Sequence, residues 1–174
     1  MSVQTSIKVE GFEELFKAMD SLKQEIGKGK TDRIWRDLLK KSMQPVLDAA
    51  KDNAPKNSGQ MANHIYLSVH RPKSRDVSGK FYDGEMYMAR VTVSPIRDDT
   101  RYRVVLNKSG KFQTVSYNKR PVAVSQEFGN ARTPAHPFLR VSLESKAETV
   151  VNLMSSLLRN KIDEITRDLA KKGK

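Results

Sequence analysis

The sequence has no cysteine among its 174 residues, few aromatic residues (7%) and fewer acidic than basic residues, 20 against 32. Without cysteine there is no disulfide framework, no cysteine-ligated zinc site, no iron–sulfur cluster and no cysteine nucleophile. A secretory hydrophobic segment and a run of about 18 apolar residues are also missing, so we expect a soluble protein made in the cytosol, with no membrane contact. The length predicts a single domain over residues 1–174.

The excess of positive charge lies mainly in the middle of the chain. Residues 61–140 hold 14 basic and 6 acidic residues, whereas residues 1–60 hold 11 and 9. A basic segment rich in strands can bind nucleic acid by contacting phosphates. It can equally be a solvated basic face or a surface that meets an acidic protein. The charge alone leaves these three interpretations open.

The spacing of apolar residues predicts helices at both ends of the chain. A first helix is expected from Phe12 to Gly27, and a second from Thr31 or Asp32, either a good N-cap, to the Ala54-Pro55 stop. A long C-terminal helix is expected over about residues 141–170. A helix of that length either wraps the sheet of its own chain or reaches a neighbouring subunit.

Alternation of apolar and polar residues predicts strands between these helices. The strands are expected at residues 3–9, 64–70, 86–94, 101–106, 112–117 and 122–126, with a polar loop at 71–85. The tetrapeptide Ser-Gly-Lys-Phe occurs at 78–81 and again at 109–112, and both copies are predicted as hairpin tips. The predicted fold is therefore α+β: an antiparallel sheet, with a basic hairpin-rich part at about 71–118, packed by two N-terminal helices and the long C-terminal helix.

We find no constellation of catalytic residues in the sequence. The three histidines, His64, His70 and His136, form no metal-binding motif, and neither Ser-Gly-Lys-Phe copy has the spacing of a phosphate-binding loop. No nucleophile, base and oxyanion donor can be assembled. We therefore predict that the protein is not an enzyme and needs no metal or cofactor.

Three short motifs shape the backbone instead. One runs from Ala54-Pro55 to Met61, the second is Gln126-Glu127-Phe128-Gly129, and the third is Pro134 to Arg140. We interpret them mostly as fold architecture, with Phe138 and Leu139 as anchors that dock the last helix. Glu127, predicted at the end of a strand, is either an intersubunit ion-pair partner or a solvent-facing charge.

The order of these motifs resembles that of the neck or tail-completion (head–tail joining) proteins of long-tailed phages, also called minor tail components. In that family a helix ends in Ala-Pro before a Thr-Gly-x-Leu turn, and Glu-Phe-Gly and Pro-Phe-(Leu/Met)-Arg precede a C-terminal helix. The positions that carry the resemblance, and that are our candidates for assembly, are Pro55, Ser58, Gly59, Met61, Glu127, Phe128, Gly129, Pro137, Phe138, Leu139 and Arg140.

The resemblance implies a virion protein at the head–tail junction that assembles in the host cytoplasm. Its copies would form a ring, a hexamer or alternatively a dodecamer, that joins the tail to the head and lets DNA pass. The implied partners are head-closure and tail-terminator or tail-tube proteins, with non-specific contact to genome DNA. The alternative is a nucleic-acid-binding module that uses residues 61–140 as a basic sheet.

Overall fold

The computed structural model describes residues 12–56, 60–79, 87–94, 97–132 and 134–172. The predicted strand at residues 3–9 lies outside them. The chain divides into two compact units. The first unit comprises Met1–Met43, Val69–Tyr87 and Glu148–Lys174, and the second comprises Gln44–Ser68 and Met88–Ala147. The single domain inferred from length stays a prediction.

The two N-terminal helices are confirmed, although the second begins earlier than predicted. Helix α1 covers Phe12–Ile26 and helix α2 covers Lys28–Asp52, separated only by Gly27, whose φ is +82°. Thr31 is therefore inside α2 and is not its N-cap. Its hydroxyl donates a hydrogen bond of 3.0 Å to the carbonyl of Gly27 instead. Helix α2 ends before Ala54-Pro55, as the proline predicts.

The core of the first unit is formed by three helices. The long C-terminal helix, numbered α6 in chain order, covers Leu139–Lys172 and confirms the prediction. One stripe of it packs within its own chain against α1 and α2. The buried members of this core are Met19, Ile34, Trp35, Leu38, Met154, Leu158 and Ile165. The one-turn helix α4, Ser74–Val77, also belongs to this unit.

The second unit combines short elements with the ends of the long helices. Strand β1, Ile65–His70, confirms its prediction and pairs with β2, Met88–Val93. The one-turn helix α3, Gln60–Asn63, begins at the end of the Ala54-Pro55 to Met61 motif and precedes β1. The buried core consists of Ala50, Ala54, Met61, Ile65, Val93, Ala123 and Phe138.

Strands β3, Arg97–Leu106, and β4, Phe112–Asn118, form an antiparallel hairpin. Its tip at residues 107–110 confirms the prediction for the second Ser-Gly-Lys-Phe copy. The prediction is wrong for the first copy, since Ser78 and Gly79 follow the end of α4 rather than join two strands; Lys80 and Phe81 lie outside the described residues. Strand β3 also begins earlier than predicted, at Arg97.

The strand predicted at 122–126 is wrong, because this segment is helix α5, Lys119–Phe128. Val122 and Val124 alternate as in a strand, yet the buried residues are Ala123 and Glu127, which lie four apart on one helix face. Pro121 stands in the first turn, where its missing N–H costs no intrahelical bond. The α+β class is confirmed, but its described strands form two two-stranded sheets rather than one.

Candidate functional site

The second and third motifs meet around the carboxylate of Glu127. This side chain lies at the end of α5 and its residue is only 3% exposed. Its Oε2 atom accepts hydrogen bonds of 2.9 Å from the backbone N–H groups of Phe138 and Leu139, and Oε1 accepts one of 3.0 Å from that of Arg140. These N–H groups begin α6 and have no acceptor within that helix. Glu127 thus caps α6 from another helix.

The negative charge suits this position for two reasons. The N-terminus of a helix carries partial positive charge, which a carboxylate neutralises. Burial would raise the pKa of Glu127, but the bonds from the backbone N–H groups of Leu139, Arg140 and Phe138 favour the ionised form. The pKa of Glu127 therefore lies below its ordinary value.

Arg140 also binds Glu127, from the solvent-exposed side of the contact between α5 and α6. Its Nε donates to Glu127 Oε1 at 3.0 Å, and its Nη2 donates to the backbone carbonyl of Glu127 at 2.8 Å. Its Cζ atom also lies 4.9 Å from the centroid of the exposed Phe128 ring. Arginine forms such paired contacts because its donors are fixed in one plane.

Neither alternative for Glu127 describes what the structure shows. A solvent-facing charge is wrong, because the residue is buried. The ion pair that Glu127 makes lies within its own chain, with Arg140. The donors could not be predicted from the sequence, since they lie more than ten residues downstream.

Gly129 and the linker after it allow the two segments to meet. Gly129 has a φ of +74°, the left-handed conformation that commonly follows a helix, and its N–H donates to the Ser125 carbonyl at 2.8 Å. The His136 N–H donates to the Gln126 carbonyl at 2.7 Å, so the chain returns to α5 just before Pro137. Phe138 then enters the core, 1% exposed, and Leu139 packs partly buried against it.

The first motif joins the same core. Ala54 and Met61 are buried beside Phe138 in the hydrophobic cluster of the second unit, and Pro55 is partly buried. Ser58 and Gly59 lie outside the described residues. Asn53 adds a polar contact, because its side-chain amide donates to the Ser142 hydroxyl at 3.0 Å. The first and third motifs thus contribute Ala54, Met61 and Phe138 to one core.

A separate polar cluster in the first unit was not predicted from the sequence. The Asp32 carboxylate on α2 accepts hydrogen bonds from the Tyr87 hydroxyl and the Arg71 guanidinium, and these two donors lower the pKa of Asp32. Trp35 stacks on Tyr87 with ring centroids 6.4 Å apart. The cluster therefore fixes both ends of the segment between Arg71 and Tyr87 to α2.

The described residues offer no metal centre, since no three of their His, Asp and Glu side chains converge as ligands. Among the helices that the structure describes, none has the length and apolar character needed to cross a bilayer. The surface does expose large apolar side chains. Those of the second unit are Tyr66, Val104, Leu106, Phe112, Val124, Phe128, Val141 and Leu143.

Comparison with known proteins gives one family. Residues 16–129 match the HK97-gp10-like family model, whose description reads "Bacteriophage HK97-gp10, putative tail-component". The match covers more than half of the chain and includes the first two motifs. The Pro137-Phe138-Leu139-Arg140 segment lies beyond it. Neither the curated proteins nor the solved structures gave a match.

Proposed function

Because the chain belongs to the HK97-gp10-like family of bacteriophage tail components, we propose that it is a neck or tail-completion protein. In this role its copies form a ring at the head–tail junction, join the tail to the head and let DNA pass. The observation that carries the proposal is the family match over residues 16–129. Family membership supports the coarser statement, a structural protein of the virion, and such a role requires no catalysis.

The surface of the second unit supports assembly with other proteins. Val124 and Phe128 lie four apart on one exposed face of α5, and Val141 and Leu143 are exposed in the first turns of α6. Clusters of exposed apolar side chains commonly mark protein interfaces. A ring requires two different patches on each subunit, because each copy contacts the next head to tail.

The proposed partners are other copies of this chain, as a hexamer or a dodecamer, and the head-closure and tail-terminator or tail-tube proteins that adjoin the neck. The Glu127–Arg140 contact would act in this assembly by holding α5 and the start of α6 in one arrangement. Phe128 lies on α5 and Val141 on α6, so this contact fixes the position of both exposed side chains.

The excess of positive charge in residues 61–140 favours a second candidate, a nucleic-acid-binding module. This segment does not form one basic sheet, because its described residues include α5 and strands of two separate two-stranded sheets. In the ring, the same charge would contact passing DNA or acidic neighbours.

Tails assembled without this protein provide the test. We expect the purified chain to add to one end of such tails in a fixed number of copies and to restore joining to filled heads. Electron microscopy of labelled chains and the mass of the free protein at low and high salt would measure this. If the protein is a monomer that does not bind tails but binds DNA in a salt-sensitive manner, the neck role is rejected and the second candidate is favoured.

A further inference from the structure

The β3–β4 hairpin carries an apolar face that nothing in the described structure covers. Its register places Leu106 opposite Phe112 and Val104 opposite Thr114. Since side chains alternate along a strand, Val104, Leu106 and Phe112 lie on the same face. Their exposed fractions are 67%, 61% and 78%.

Local hydrogen bonds hold the tip of the hairpin that presents this face. The Asn107 side-chain carbonyl accepts backbone hydrogen bonds from Ser109 at 3.0 Å and Lys111 at 2.9 Å, and Gly110 has a φ of +73° that suits the turn. None of the β3 and β4 side chains that the structure describes belongs to the buried members of either core. A two-stranded hairpin is barely stable alone in water, so a covering surface would stabilise it.

The positive charges of the hairpin indicate what kind of surface could cover it. Lys108 lies in the tip and Lys111 directly before Phe112, and both are exposed. The surface that fits the hairpin therefore combines apolar groups with carboxylates. Nucleic acid fits poorly, because its phosphates would pair with the lysines but would leave three large apolar side chains in water.

The second unit itself has a surface of this kind. A groove of about 450 Å³ lies between the C-terminal half of α2 and the first turns of α6. Asp48 and Asp52 line it one turn apart, beside the partly buried Pro45 and Ala49. Val141 is exposed one turn before Ser145, which also lines the groove.

The position of the two aspartates on α2 favours positive charge nearby. They lie at the C-terminal end of α2, where the helix dipole disfavours negative charge. Gln44 donates one hydrogen bond of 2.8 Å to Asp48, and Lys146 also lines the groove. The lysines of a neighbouring hairpin would supply the additional positive charge that this end of α2 favours.

We infer that the apolar face of the hairpin in one copy docks onto the α2–α6 groove of a second copy, with Lys108 and Lys111 facing Asp48 and Asp52. The inference rests on the proposed ring and names the contact between its neighbours. The contact joins two different surfaces, so each copy that donates a hairpin still offers an empty groove to the next. Repetition of such a contact closes into a ring when the rotation allows it.

Charge reversal tests the pairing directly. Lys108→Glu with Lys111→Glu gives a chain whose hairpin and groove are both acidic, and Asp48→Lys with Asp52→Lys gives one in which both are basic. We expect each variant alone to need at least about tenfold more protein for half-assembly, because like charges then meet. An equal mixture of the two should recover assembly, because every hairpin again meets a groove of opposite charge.

The absence of cysteine permits a second measurement with no background. A chain with Lys108→Cys and Asp52→Cys should form a ladder of disulfide-linked oligomers on oxidation, free in solution or incorporated into tails. The matched control replaces Asp37, another exposed aspartate of α2, in place of Asp52 and should give no ladder. Circular dichroism would confirm that all these chains fold like the wild type.

The outcomes separate this inference from the proposed function. Assembly or tail incorporation of the wild type, with no ladder and no recovery in the mixture, would overturn the hairpin contact and leave the neck role standing. That result would indicate that another tail protein, and not a second copy of this chain, covers the apolar face of the hairpin. A wild type that neither assembles nor joins tails would overturn both.

Discussion

The backbone N–H of Phe138 lies 2.9 Å from Oε2 of Glu127, so a side chain at the end of α5 caps the beginning of α6. An N-cap is ordinarily supplied by a residue next to the helix it serves. Here the capping carboxylate comes from eleven residues earlier and is buried, as is Phe138. The geometry makes Glu127 a structural residue whose loss should be measurable.

Replacing Glu127 with alanine should lower the free energy of unfolding of the second unit by about 3 kcal/mol, because three backbone N–H groups lose a charged acceptor. Urea unfolding followed by circular dichroism would measure it. Glu144→Ala, at an exposed position of α6, is the matched control and should change stability by less than about 0.5 kcal/mol. Equal losses in the two variants would contradict the capping role.

The lowered pKa of Glu127 predicts a pH dependence with a definite sign. Its contribution to stability is complete above the unfolded-state pKa, about 4.3, and is lost as pH falls through the lower folded-state pKa. The stability difference between wild type and Glu127→Gln should therefore shrink as pH falls below about 4.3. Melting temperatures at several pH values would show this, with Glu144→Gln retaining the wild-type profile. A difference independent of pH would be inconsistent with an ionised cap.

Phe138 is expected to anchor α6 through its burial. Phe138→Ala should destabilise the second unit by roughly 3–5 kcal/mol, because it leaves a cavity beside Ala54 and Met61. Phe128→Ala removes the same side chain at a site 65% exposed and should cost less than about 1 kcal/mol. Denaturant titration of both variants compares the two sites, and a near-neutral Phe138→Ala would remove its role as an anchor.

Gly129 should resist substitution because of its backbone conformation. Its φ of +74° costs an L residue about 1–2 kcal/mol, so Gly129→Ala should reduce stability by that amount. Gly29, in the first turn of α2, has open space around its Cα, and alanine there should be neutral or slightly stabilising. Thermal melts would compare them. A harmless Gly129→Ala would show that the turn does not need this conformation.

Tyr87→Phe tests the polar cluster of the first unit. The change removes the hydroxyl that donates to Asp32 but keeps the ring that stacks on Trp35. We expect a loss of about 1 kcal/mol. The single tryptophan, Trp35, lies in this unit and reports its unfolding by fluorescence. An unchanged transition would mean that the hydroxyl adds nothing to the cluster.

The sequence predicted those elements whose pattern is local. The apolar residues of α1, α2 and α6 repeat at helical spacing over many turns, so their prediction needs no knowledge of distant neighbours. Helix α5 was predicted as a strand because Val122 and Val124 alternate. Its actual burial depends on Ala123 and Glu127, and Glu127 is buried only because it finds donors at the start of α6.

As with the fold, only part of the candidate site could be predicted from the sequence. The motif order predicted the phage-tail family, and the family match confirms it. The contacts could not be read from that order, because Glu127 reaches Arg140, and Met61 joins the core of Phe138, only through folding. The exposure of Val104, Leu106 and Phe112 was equally hidden, since alternating apolar residues are also what a covered strand shows.

The cap on α6 also sets an order of events during synthesis. Glu127 leaves the ribosome before residues 138–140, so its carboxylate must stay hydrated until those three N–H groups follow. The nascent second unit therefore cannot finish folding when α5 is complete; it waits for the opening turn of α6. A stalled chain extended by a linker that fills the exit tunnel should be cleaved readily by protease when the protein part ends at His136, and should be protected when it ends at Lys146. Translation thus delays the completed fold until the last helix has begun to emerge.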